Sequence, residues 1–184
     1  MCYTMKRKND YIFIKVIIYL LFGIIFFIVL KQIFNIINAY YDFVYYIMII
    51  LYLLLGLFIY LKKYNFCIII YYITLFIFLF LRKTEPGINL QFYLFAWLKS
   101  MFKNKVIFLN ILGNIILFIP MGIINKNILK SFIIILIIEL SQILLKKGIF
   151  DIVDIVLNML GALVGFIGAK IWMKIIKNKR KIKK

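Results

Sequence analysis

Stretches of about twenty almost wholly apolar residues recur along this chain, and a water-soluble fold has nowhere to put them. A helix crossing the hydrocarbon core of a bilayer needs about 20 such residues, within a range of about 17–25. Hydropathy predicts six, at roughly 11–30, 43–61, 65–81, 106–124, 130–146 and 152–173. Hydrophobic residues make up 66% of the 184 positions, well above the apolar share of a soluble domain. In lipid every backbone N–H and C=O must be satisfied internally, which leaves helices as the spanning element for segments of this length. The expected fold class is an all-α integral membrane protein with about six transmembrane helices. The segment 88–105 is aromatic-rich (Phe92, Tyr93, Phe95, Trp97, Phe102), carries Lys99 and is short for a span. It reads as an interfacial or re-entrant helix at 88–102.

Charge supplies the topology. The chain carries 24 Lys and Arg against 6 Asp and Glu, a formal net charge of +18. Such a balance can signal nucleic acid, but here the basic residues sit in short runs between and after apolar stretches. That placement excludes a nucleic-acid reading in favour of topology signals and contacts with membrane lipids. Six spans put the larger share of the Lys and Arg on the side of the two termini. The positive-inside rule then predicts a multi-pass protein of the cell membrane with both termini cytoplasmic. The N-terminal stretch resembles a signal anchor, its apolar run being too long for a cleaved signal peptide. The tail from Lys177 onward is expected to be disordered and solvated. There are no histidines, which removes His-based metal sites and His general bases. Cys2 and Cys67 are far apart and form no CxxC or Cys/His pattern.

Polar groups inside spans cost roughly 2.5–3.5 kcal/mol for an Asp at a helix centre, so their positions carry information. Asn110 and Asn114 open the fourth span, four residues apart on one face. Glu139 and Gln142 share a face near the end of the fifth. Asp151, Asp154, Asn158, Gly161, Gly165 and Gly168 step by three and four residues along the sixth, a single stripe that is acidic above and glycine-lined below. Antiparallel connectivity brings all three groups to one membrane face. The expected picture is three helices around a polar pocket open toward the outer leaflet. Glu139, Asp151 and Asp154 are its candidate catalytic groups. Asn110, Asn114, Gln142, Asn158 and Arg82 are its candidate substrate-binding groups. Plainer readings compete. Asp151 is also placed to act as a helix N-terminal carboxylate, the asparagines suit interhelical hydrogen bonding, and Glu139 suits a carboxyl bonded to an amide on another helix. Gly161 and Gly165 suit close helix approach, which also permits a homodimer.

These residues resemble a known family. The run from Asn110 through Asn114, Phe118 and Pro120 to Gly122 is similar to the N-x-x-x-N-x-x-x-F-x-P-x-G helix of VanZ-like membrane proteins. Glu139-Leu-Ser-Gln142 resembles that family's E-x-x-Q. The spacing of Asp151, Asp154, Asn158 and Gly161 resembles its D-x-x-D-x-x-x-N-x-x-G. Asn89-Leu90 resembles an upstream N-L-x-P-F, although the proline is missing before Phe92. The resemblance covers about 82–170. It divides the chain into N-terminal transmembrane helices at 1–81, a VanZ-like membrane domain at 82–173 and a basic cytoplasmic tail at 174–184. It implies an association with teicoplanin or lipoglycopeptide resistance in the Gram-positive cell envelope, without a defined biochemical activity.

Three functions fit the residues. The first is a site that binds or modifies a lipid-linked or phosphate-bearing headgroup, with lipid-linked envelope precursors or a lipoglycopeptide drug as partners. Hard oxygen donors of this kind suit a divalent cation such as Mg²⁺ or Ca²⁺. The second is a non-enzymatic envelope protein limiting drug access. The third is a small ion-coupled transporter, disfavoured because the polar groups gather at one end of the helices and the opposite halves look dry.

Overall fold

A computed structural model describes residues 2–37, 40–83, 87–89, 99–100, 102–147 and 149–182. Its elements are α1 (Cys2–Ile37), α2 (Asp42–Tyr60), α3 (Tyr64–Phe80), β1 (Gly87–Asn89), α4 (Lys105–Asn125), α5 (Ile128–Leu144), β2 (Ile149–Asp151) and α6 (Ile152–Ile182). The chain divides into two compact units, 1–70 and 71–184.

The helices fall where hydropathy puts them, but length separates them into two classes. Among the described residues, four are long and apolar enough to cross a membrane: Ile14–Ile37, Asp42–Tyr60, Lys105–Asn125 and Ile152–Asn178. Four of the six expected spans are thus candidates by length and composition. α3 and α5 have 17 residues each, about 26 Å of helix against a hydrocarbon core of about 30 Å. α3 is apolar, whereas α5 buries Ser131, Glu139 and Gln142. Two further expectations are corrected. Residues 88 and 89 of the predicted interfacial helix are strand; Lys99 and Ser100 are helical, and 90–98 lie outside the described residues. The tail expected to be disordered continues α6 as helix to Ile182, because lysine is a good helix former and cations suit a helix C-terminus.

In the first unit α1 and α2 meet through a repeat that hydropathy hides. Tyr19-Leu-Leu-Phe-Gly23 and Tyr52-Leu-Leu-Leu-Gly56 pack reciprocally. The two tyrosine rings stack with centroids 4.4 Å apart. Tyr52 Oη donates to the Tyr19 carbonyl at 2.8 Å, and Tyr19 Oη donates to the Tyr52 carbonyl. Each glycine leaves room for the opposite ring: Gly23 faces Tyr52 and Gly56 faces Tyr19. The outward side chains, among them Leu21, Phe22, Ile25 and Tyr46, are exposed and apolar, as a surface solvated by lipid requires. Gly56→Leu is expected to push out the Tyr19 ring and lower stability by about 1–3 kcal/mol, measured as loss of unfolding free energy in detergent.

The second unit positions the polar groups. Phe118, Met121 and Ile135 are fully buried and form its core with Leu75 and Ala162. Asn104 caps α4, its side chain accepting from the Val106 and Ile107 N–H groups at 2.9 and 3.4 Å. Lys126 turns the chain in a left-handed conformation (φ 53°). Asn127 then caps α5 by accepting from Leu129 N–H at 2.9 Å, so a two-residue turn makes α4 and α5 antiparallel neighbours. α4 and α6 touch backbone to backbone. Gly161 lies against the Ile115 carbonyl, Gly165 against the Ile119 carbonyl and Gly122 against the Ala162 carbonyl. Gly161 and Gly165 are thus occupied by α4 within the chain.

Candidate functional site

Connectivity alone places the polar ends together, and the side chains then pair across helices. Asn114 on α4 donates through Nδ2 to Asp154 Oδ1 on α6 at 2.6 Å. One turn further along α6, Asn158 donates through Nδ2 to Glu139 Oε1 on α5 at 3.0 Å. Asn110, one turn before Asn114, accepts from Arg82 Nη2 at 3.5 Å. Arg82 follows α3, so the end of α3 contributes along with α4, α5 and α6. Glu139 and Asn158 are only 2% and 1% exposed.

Asp151 and Gln142 sit at the same end in structural roles. Asp151 Oδ1 accepts from Val153 N–H at 2.8 Å, so it caps α6, as its position in the sequence allows. Gln142 Nε2 donates to the Leu79 carbonyl at 3.2 Å, fastening α5 to the end of α3. Strands β1 and β2 pair in parallel, with Asn89 opposite Asp151. This ladder ties the segment after α3 to the start of α6. A two-strand ladder of three residues per strand leaves no hydropathy signature, and a backbone carbonyl such as that of Leu79 leaves none either.

All eight candidate residues therefore gather at one end of this unit, but they do not form one open cluster. They form two buried amide–carboxyl pairs, a cap, a latch and a guanidinium at the edge. Among the described residues no group of three or more His, Cys, Asp or Glu side chains is placed to hold a metal ion. One oxygen of each of Asp154, Glu139 and Asp151 accepts an N–H. Among the described residues, the buried atoms Arg82 Nε, Glu139 Oε2 and Asn158 Oδ1 have no hydrogen-bond partner. Buried polar atoms are almost always hydrogen-bonded, so these three mark where a ligand or water would be held.

The opposite end is less dry than hydropathy suggests. Tyr72 Oη donates to Asn125 Oδ1 at 3.3 Å, and Asn125 Nδ2 donates to Ser131 Oγ at 3.1 Å. Ser131 is fully buried and donates to the Asn127 carbonyl at 3.4 Å. Asn125 and Ser131 flank the α4–α5 turn in sequence, which is the signal that could have pointed to this network. Its members have their bonds satisfied, and it ties α3, α4 and α5 together.

A model of the VanZ/LLP1 family matches residues 66–173. No curated protein and no solved structure gives a significant match. The matched region holds Arg82, both amide–carboxyl pairs, Asp151, Gln142 and the glycines that bring α4 against α6. It covers more than half of the chain, and the apolar helices fit a protein of the membrane. The chain belongs to the VanZ/LLP1 family.

Proposed function

We propose that this VanZ-family membrane protein holds the headgroup of a membrane lipid or lipid-linked envelope precursor at the Arg82 end of its second unit. The observation that carries this reading is the set of unpartnered buried atoms on Arg82, Glu139 and Asn158. Such atoms cost about 1–3 kcal/mol each when left unmade, and a headgroup supplies both the acceptors and the donors they lack. Six crossings, with α3 and α5 as short spans, put both termini in the cytoplasm under the positive-inside rule. That end then faces the outer leaflet, where Arg82 and the lysines that follow it draw in a phosphate. The link to teicoplanin-type resistance in Gram-positive envelopes comes from the family resemblance. It fits a protein that sequesters or alters an envelope lipid.

The test is Asp154→Ala with protein level in the membrane measured alongside. Asn114 loses its acceptor, and susceptibility to a lipoglycopeptide is expected to return to that of cells lacking the gene. Unchanged susceptibility at a normal membrane level overturns the reading. A second reading, a non-enzymatic protein that limits drug access, is favoured by the structural work of Asp151 and Gln142. Under it, alanine variants lose function only in proportion to lost protein.

A further inference from the structure

Two of the unpartnered atoms are of one kind and belong to residues that are bonded to each other. Glu139 Oε2 and Asn158 Oδ1 are both acceptors, and they belong to residues already joined through Glu139 Oε1 and Asn158 Nδ2 at 3.0 Å. With the Glu139 carboxyl ionised, turning the Asn158 amide over would set oxygen against oxygen, so the amide oxygen stays the unpartnered atom. A pair of buried acceptors calls for a group with at least two N–H or O–H donors. Charge narrows the choice. Asp154 and Asp151 both lie close enough to act on the Glu139 carboxyl, while the guanidinium of Arg82 acts on Asp154. Three carboxyls against one guanidinium favour a donor that is cationic. A divalent metal ion is a poor candidate, because the described residues offer no group of three acidic, His or Cys ligands. A primary ammonium has three N–H donors and needs no such cage. The remaining unpartnered atom, Arg82 Nε, is a donor and suits a phosphate oxygen.

The geometry points to a zwitterionic phospholipid headgroup with a primary amine, its ammonium held by Glu139 and Asn158 and its phosphate by Arg82. The inference rests on the headgroup reading above and names the class of headgroup. It requires the N–H donors as well as the positive charge, which makes it separable by lipid chemistry.

The experiment is a titration of the full chain in detergent, read by native mass spectrometry, with three lipids of matched acyl chains. Phosphatidylethanolamine has the amine and the phosphate. Phosphatidylcholine keeps the charge but has no N–H. Phosphatidylglycerol keeps the phosphate but has no amine. Phosphatidylethanolamine is expected to bind at least tenfold more tightly than either of the others, and Glu139→Gln, close in size and shape, is expected to reduce that preference to under threefold. Soluble glycerophosphoethanolamine is expected to compete only at far higher concentration; competition at equal concentration would reassign the amine to a water-soluble ligand and overturn the lipid source. Equal binding of phosphatidylethanolamine and phosphatidylcholine overturns the donor requirement. Tighter binding of phosphatidylglycerol overturns cationic recognition and leaves the headgroup reading standing. Saturable binding of none of the three overturns both.

Discussion

Glu139→Ala is expected to lower the stability of the detergent-solubilised protein by about 2–3 kcal/mol and to abolish function. The carboxyl is 2% exposed and accepts from Asn158 Nδ2. Its removal leaves a second unmade bond on an amide whose oxygen is already unpartnered. Loss of function in this variant alone would not separate chemistry from folding. The double variant Glu139→Leu with Asn158→Leu does. Replacing both members of a buried polar pair by apolar groups of similar size is often neutral or stabilising. The double variant is therefore expected to regain most of the lost stability, read from thermal unfolding, while drug susceptibility stays at the level without the gene. Recovery of resistance along with stability would show the pair to be a folding element and would remove it from the site.

Gly165→Leu is the second large effect. A Cβ at this position meets the Ile119 carbonyl across the α4–α6 contact. The neighbour is backbone, so no side chain can swing aside and the helices must part. Overpacking typically costs about 1–3 kcal/mol and occasionally more; here the cost is expected at about 3 kcal/mol or above, with little protein accumulating in the membrane. Parting α4 from α6 also pulls Asn114 from Asp154, so the site is lost with the contact. Gly168→Leu, three residues on, is the control. Nothing lies within 4 Å of its Cβ position, and the change is expected to stay within about 0.5 kcal/mol. Equal losses at the two positions, measured as unfolding free energy in detergent, would refute the tight α4–α6 contact as the source of the effect.

The site was legible to the extent that helical phase governs it. Asn110 and Asn114 share a face, Asp154 and Asn158 share another, and chain direction brings both to the end of the unit where Glu139 sits. The cap made by Asp151 was legible from its position at the start of a helix. The bond of Gln142 was not, because its partner is the Leu79 carbonyl, and every residue type offers the same backbone group. The Tyr19/Tyr52 packing shows the same limit from the other side. Its five-residue repeat is present in the sequence, but within runs so uniformly apolar that only the reciprocal rings and carbonyls distinguish it.

Hydropathy was sufficient to establish a helical membrane protein, because no other solvent tolerates so many apolar residues and no other local structure satisfies their backbone. Motif spacing was sufficient to identify the family and to bring the polar groups to one end. Only the tertiary structure decided which amide meets which carboxyl, that Gly161 and Gly165 pack against α4, and which polar atoms of the described residues are left over. Those outcomes depend on helix rotation and separation of an ångström or two. A periodicity of 3.6 residues selects the face that a side chain occupies, but hydrogen bonding demands a partner within about 3 Å of it, and that partner lies on another helix.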